Sequence, residues 1–173
     1  LGARRPQGDF GPYAVLERKD VNSNHISKLT TMHKEISESL NKHRYKEALR
    51  TAMKSAQYGN QIIQAAEPWK YLAVDQQNTD EAKESLAHLA FGWRTCRYLA
   101  IVMQPFMPFS SQRLWHSIGE SGDVSRVHWN EAINWDAPMV WNNEKAEPLF
   151  KRIELSEIIE HEKVTCCLLY TSD

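Results

Sequence analysis

Between residues 23 and 118, apolar side chains recur at steps of three and four, which places them on one face of an α-helix. A first helix is predicted with the apolar face Ile26, Leu29, Met32, Ile36 and Leu40. Ser23 or Asn24 is expected to cap its start, because short polar side chains accept hydrogen bonds from the free N–H groups there.

A second helix is predicted over residues 44–66. Its apolar side, again at helical spacing, comprises Tyr45, Leu49, Ala52, Met53, Ala56 and Ile63. Gly59 costs about 1 kcal/mol against alanine inside a helix, so we expect a close packing contact at that position. Pro68 disfavours helical geometry at Glu67, and the helix should therefore end there.

A third helix is the longest, and Asn78 and Glu81 have the spacing of a capping box at its start. Its apolar seam comprises Leu86, Leu89, Trp93, Cys96, Ala100 and Met103. Pro105 and Pro108 are expected to end it. Ser110 is then expected to cap a fourth helix, which carries Leu114, Trp115 and Ile118. Trp93 and Trp115 lie on apolar seams, and we assign them to the core.

These elements predict an all-α fold, a bundle of about four to five helices with an irregular C-terminal extension. We divide the chain into an irregular lead-in (1–20), a helical bundle (21–122), an extension that packs on the bundle (123–163) and a tail (164–173). Residues 123–150 of the extension mix tryptophan with Asn, Asp and Pro, which indicates extended or irregular backbone. The tail, VTCCLLYTSD, continues no earlier pattern; it is either a cloning or sequencing scar or a short native strand.

Composition narrows the possible functions. The 173 residues include 42% hydrophobic and 25% charged residues, as expected for a soluble globular protein. A net charge of −1 provides no overall field for a polyanion, so RNA binding would need a local cluster of Lys and Arg. No stretch is apolar enough for a membrane span, and the start has no secretory pattern. We therefore expect a reducing, cytoplasmic setting.

Catalytic motifs are absent from the sequence. There is no glycine-rich phosphate loop, no H-E-x-x-H pair and no G-x-S-x-G elbow. The three cysteines and seven histidines lack the spacing of a metal site. No Ser, Cys or His has a plausible base partner, so we predict no catalytic residue, no metal and no cofactor in this chain.

The second helix carries one polar stripe. At 100° per residue, Lys46, Arg50, Gln57, Gln61 and Gln64 fall together, with Lys54 at the margin and Asn60 on the other side. Cations bind phosphates, and amides bind both phosphates and base edges. Taken alone, the stripe is most simply a solvated helix face.

Trp69 follows the helix-ending Pro68 and precedes Lys70. A tryptophan is more often part of the core than a ligand platform. In this position, however, the indole face can remain accessible beside a cation. Stacking one base on such a face contributes about 1–3 kcal/mol.

Two segments, NQIIQAAEPWK (60–70) and GWRTCRYLAIVMQPFMPFSSQRLW (92–115), together resemble the anticodon-binding domain of methionyl-tRNA synthetases of archaeal or eukaryotic type. The resemblance covers about residues 14–160 and is most specific at 58–70 and 97–115. EPLFKRI (147–153) is similar to the C-terminal extension of that family, which returns toward the nucleotide-binding domain.

The resemblance implies roles for several residues. In the family, the tryptophan of the Pro-Trp pair stacks on the anticodon loop and helps to select the anticodon CAU. Trp69 and Pro68 match that pair, and Asn60 matches an asparagine of the same motif whose role could be structural. The RNA-binding residues are then expected to be Trp69, Pro68, Asn60, Gln64, Lys70, Lys46 and Arg50.

The resemblance also implies what the chain lacks. The family reads anticodon bases with an Asn and an Arg four residues apart on an earlier helix, and nothing in residues 1–25 matches them. HIGH-like and KMSKS-like motifs are absent as well. We expect the partners to be a tRNA anticodon stem-loop and a missing class I catalytic domain, which would hold ATP and, in some relatives, zinc. No DNA or membrane partner is expected, and recognition by this chain alone should be weak.

Two alternatives remain open. Synthetases for valine, isoleucine, leucine and cysteine also carry helical anticodon-binding domains, although the NQxxQxxEPWK pattern favours methionine. A helical protein-interaction module without an RNA role would leave both motif segments unexplained.

Overall fold

The computed structural model describes residues 23–70, 80–139 and 147–150. Within these residues the chain forms the helices α1 (Ser23–Asn41), α2 (Tyr45–Ala66), α3 (Asp80–Val102) and α4 (Pro108–Ser117), with no strand. Short 3₁₀ turns occupy Pro68–Lys70, Val124–Arg126 and Trp129–Ile133. The predicted all-α bundle is confirmed.

Each helix packs against the next one along the chain, α1 on α2, α2 on α3 and α3 on α4. The core between them is built from Leu29, Ile36, Ala48, Ala52, Phe91, Tyr98, Val102 and Trp115. Trp93 and Trp115 are buried, as predicted. Their indole N–H groups donate to the carbonyl oxygens of Ile118 (2.9 Å) and Ser121 (3.0 Å), which satisfies the one polar group of each ring.

The buried face of α2 differs from the apolar side predicted for it. Tyr45, Leu49 and Met53 expose 56%, 37% and 53% of their surface. The buried positions are Ala48, Ala52, Ser55 and Gly59. Small side chains let the α2 backbone approach its neighbours, and this close approach decides which face lies inside. Apolar periodicity alone therefore placed the buried face too far toward Tyr45, Leu49 and Met53, although the predicted members Ala52 and Ile63 do pack inside.

Gly59 makes the close contact that its position predicted. A Cβ atom built on Gly59 would lie 2.6 Å from Cγ2 of Thr95 on α3. A Cβ atom on Gly92 would meet Cδ1 of Ile63 at 3.1 Å. Glycines from both helices thus bring α2 and α3 together.

Several predicted helix ends need correction. The fourth helix begins at Pro108 and not beyond Ser110, because proline at the first helical position loses no hydrogen bond there. The residue before it, Met107, makes no side-chain cap. Ser23 and Asn24 both lie inside α1. The predicted cap at Asn78 lies outside the described residues, as do the lead-in and the tail.

The segment after α4 lies across α1 and α3. Nε1 of Trp129 donates to Oγ of Ser37 (2.8 Å), and Nε1 of Trp135 donates to Oγ1 of Thr30 (3.1 Å). The Trp135 ring stacks on Tyr98 with 5.9 Å between the ring centroids. Two tryptophans thus attach this segment to the bundle.

Candidate nucleic-acid interface

The turn after α2 begins where the sequence predicted the helix to end. Glu67 is left-handed (φ 43, ψ 49), and its N–H donates to the carbonyl oxygen of Ile63 (3.1 Å). A residue before proline usually adopts extended geometry. The left-handed geometry instead costs a non-glycine residue about 1 kcal/mol and turns the chain sharply into Pro68–Lys70.

Pro68 and Trp69 have opposite environments in this turn. Pro68 is fully buried, whereas Trp69 exposes 48% of its surface. The turn packs against α3, so the proline supports it from inside. The indole is accessible, as a stacking platform requires.

Lys70 also lies in the turn, where its ammonium forms an ion pair with the carboxylate of Glu67. Both side chains are about half exposed, at 54% and 44%. Exposed ion pairs contribute at most about 1 kcal/mol. The charge of Lys70 beside the indole is therefore balanced by Glu67, a pairing that the sequence analysis did not predict.

The polar stripe of α2 faces solvent along its whole length. The members Lys46, Arg50, Gln57, Gln61 and Gln64 are all exposed, as are Lys54 at its margin and Asn60 beside it. Within the described residues, no ion pair engages Lys46, Arg50 or Lys54. These side chains are available to a ligand.

The predicted residues do not form a single pocket. Lys46 lies in the first turn of α2, and Trp69 lies just beyond its last turn. A 22-residue helix is about 33 Å long, so the two ends would contact different parts of any one ligand. The site is an extended face, with Arg50 near its cationic end and Gln64 near the indole.

The sequence analysis missed the turn between α1 and α2. Lys42 and Arg44 are exposed there, next to His43, which is left-handed with φ 56. The signal was present in the run KHRYK, which contains no acidic residue. Helical projection does not detect these two cations, because Lys42 precedes the predicted helix and Arg44 falls off its polar stripe.

Other kinds of site lack support in the structure. Within the described residues, no group of three His, Cys, Asp or Glu side chains could hold a metal ion. Burial raises the pKa of the Cys96 thiol, which keeps it neutral and unreactive. None of the described helices combines the length and the apolar character needed to cross a membrane.

Comparison with known proteins gives a consistent result. A model of the anticodon-binding domain of tRNA ligase matches residues 23–164. The chain is 32% identical over 108 residues to the methionine--tRNA ligase of Methanopyrus kandleri, covering 62% of this chain and 15% of that protein. It is 27% identical over 133 residues to the enzyme of Methanosarcina acetivorans, covering 76% and 17%. It is 27% identical over 150 residues to the enzyme of Korarchaeum cryptofilum, covering 86% of this chain and 25% of that protein. The chain thus spans a quarter or less of the length of these relatives.

Proposed function

Because the chain belongs to the anticodon-binding domain family of tRNA ligases, we propose that it binds the anticodon stem-loop of tRNA(Met) as part of a methionine--tRNA ligase. That enzyme would join methionine to its tRNA with ATP. The chemistry, with ATP and any zinc, would belong to a class I catalytic domain outside these residues. The setting of such an enzyme is the cytoplasm, where translation takes place.

One observation carries this proposal: Trp69 is half exposed on a turn held by the fully buried Pro68. Proteins read RNA loops by stacking unpaired bases on aromatic side chains and by hydrogen bonds to base edges. A ring on a supported turn is already oriented before the base arrives, so little ordering is needed on binding.

The neighbouring residues supply the other contacts of such an interface. Asn60 and Gln64 carry amides that donate to and accept from base edges. Lys46 and Arg50, which no ion pair engages within the part of the chain that the structure describes, carry charges for phosphates. Lys70 contributes through the ion pair with Glu67, which closes the turn that carries the indole.

The experiment is a fluorescence titration of a labelled stem-loop with the anticodon CAU. Trp69→Ala should weaken binding about 5- to 150-fold, since one stacked base contributes about 1–3 kcal/mol. Trp69→Phe, which keeps a smaller ring, should lie between the wild type and Trp69→Ala. Phe109→Ala is the matched control, because Phe109 is an aromatic residue 86% exposed on α4, and it should bind as the wild type does.

Equal affinity of the wild type and Trp69→Ala would contradict the stacking role. The methionine assignment is tested separately with stem-loops that carry valine, isoleucine, leucine and cysteine anticodons. Equal binding of all of them would contradict it. An absence of any salt-dependent RNA binding would favour a protein-interaction module instead.

A further inference from the structure

The exposed face of α2 changes composition half-way along the helix. Its first half carries Lys46, Arg50 and Lys54. Its second half carries Gln57, Asn60, Gln61 and Gln64 and no charged residue. Cations attract phosphates wherever they lie, whereas amides form directional hydrogen bonds that distinguish base edges. The two halves are therefore suited to different parts of a nucleic acid.

The turn before α2 enlarges the cationic half. Lys42 and Arg44 are exposed immediately before the helix begins. We define the basic end as Lys42, Arg44, Lys46, Arg50 and Lys54. Residues 42–66 contain these five cations and a single carboxylate, Glu47, in a chain whose net charge is −1. The basic end is therefore an exposed, cation-rich segment of a protein without a positive field of its own.

Little within the described residues neutralises the basic end. Lys42 lies 3.9 Å from the carboxylate of Glu38, and both side chains are largely exposed. The one carboxylate on the same stretch, Glu47, forms no ion pair with these cations within the described residues. No ion pair of the described residues engages Arg44 or the three helical cations. The basic end can therefore exchange its counterions for the phosphates of a ligand.

Distance separates the basic end from the indole. Trp69 lies beyond the opposite end of a helix that is about 33 Å long. A base stacked on Trp69 and a phosphate held at Lys46 cannot belong to the same few nucleotides. In a hairpin whose loop lies at Trp69, the phosphates that reach the basic end belong to the paired stem.

We propose that the basic end of α2 binds the phosphates of the double-stranded stem, while the amide half and Trp69 bind the loop. This inference rests on the proposed function and extends it. Stem binding is independent of sequence and depends strongly on salt. Discrimination between anticodons arises at the other end of the same helix.

The test measures the affinity for three RNA probes against salt concentration: a CAU hairpin, a hairpin with the same stem and a scrambled loop, and a single strand of the loop alone. Lys46→Gln/Arg50→Gln should reduce the slope of log K against log salt by about one unit for each cation removed. The reduction should be equal for the two hairpins and absent for the single strand. Lys34→Gln/Arg126→Gln removes the same charges from exposed positions on α1 and on the turn after α4, and should leave the slope unchanged.

A second variant tests the amide half. Gln61→Ala/Gln64→Ala should keep the wild-type salt slope and lower the preference for the CAU hairpin over the scrambled one. Circular dichroism checks that each variant is folded, which exposed positions should allow.

The outcomes separate the two proposals. If the wild type binds and Trp69→Ala weakens binding, but Lys46→Gln/Arg50→Gln keeps the wild-type slope, stem binding is wrong and the proposed function stands. A slope change as large for the single strand, or for the Lys34→Gln/Arg126→Gln control, also overturns stem binding. If the wild type binds no hairpin, both proposals fail.

Discussion

Gly59 of α2 and Thr95 of α3 touch so closely that a Cβ atom on Gly59 would lie 2.6 Å from Cγ2 of Thr95. Thr95 cannot turn away at low cost, because its Oγ1 donates to the carbonyl oxygen of Phe91 at 2.8 Å in a buried setting. This contact joins the helix that carries the polar stripe to the longest helix of the bundle.

Gly59→Ala should therefore lower the free energy of unfolding by about 1–3 kcal/mol, as overpacking usually does. The gain in helix propensity, about 1 kcal/mol, opposes this only in part. Urea denaturation measures the change. The double variant Gly59→Ala/Thr95→Ser, which removes the clashing methyl group, should recover most of the loss; if it does not, the clash is not the cause.

Met53 and Leu29 should respond differently to truncation, although both were predicted to face the core. Met53 is 53% exposed, so Met53→Ala should change the free energy of unfolding by no more than about 0.5 kcal/mol. Leu29 is fully buried, and Leu29→Ala should cost about 2–5 kcal/mol. Denaturant titrations under the same conditions compare them. A comparable loss of unfolding free energy in both variants would contradict the observation that α2 leaves Met53 exposed.

Arg97 connects three parts of the fold from a buried position on α3. Its Nε donates to Oε1 of Glu120 (2.8 Å), and its Nη1 donates to the carbonyl oxygen of Glu131 (2.6 Å). Arg97→Met should cost about 3–5 kcal/mol, because it leaves a largely buried carboxylate without its partner. Arg113→Met, on the exposed face of α4, is the control; it loses only an exposed hydrogen bond to the carbonyl oxygen of Pro148 (3.0 Å) and should cost about 1 kcal/mol or less. Thermal and urea unfolding should rank the two variants in this order.

His33 makes the stability depend on pH. It is 3% exposed and stacks on Trp129 with 5.1 Å between the ring centroids, and within the described residues neither ring nitrogen has a hydrogen-bond partner. Burial lowers the pKa of His33 below its ordinary value of 6.5, so the folded state holds the ring neutral. The stability that comes from keeping His33 neutral is fully present above pH 6.5. It is lost as the pH falls from 6.5 toward the lowered pKa, because over this range the unfolded chain takes up a proton on His33 and the folded chain does not.

The free energy of unfolding should therefore fall between pH 7.5 and pH 5.5, by at most about 1.4 kcal/mol per pH unit for one group. His33→Phe keeps a ring against Trp129 and does not titrate, so the free energy of unfolding of this variant should fall less steeply over this range. Partial burial, with His88 and Lys28 nearby, also lowers the pKa of His25, which accounts for a residual slope. An unchanged slope in His33→Phe would exclude His33 as the source.

The helices could be predicted because their signals are local. The apolar steps from Ile26 to Leu40 and the proline at position 68 placed α1 and the end of α2 within a few residues. The prediction for Pro108 was wrong because a proline can either follow one helix or begin the next. Only the path of the backbone in the folded protein decides between these two roles. The half-exposed indole of Trp69 was expected from its neighbours, but no local rule separates it from the buried Trp93 and Trp115.

The amino-acid sequence by itself determined the all-α class, the approximate extent of α1 and the end of α2, and the family motifs around residues 60–70 and 92–115, because each depends on spacing along the chain. Only the tertiary structure decided which face of α2 is buried, because the approach of backbones at Gly59 outweighs the hydrophobicity of Tyr45, Leu49 and Met53. It also decided that the side of α2 that carries the cations is exposed and that the indole of Trp69 stays half exposed on the turn after Glu67. Together with the length of the helix, which the sequence had predicted, these exposures are the geometric basis of the proposed RNA contacts.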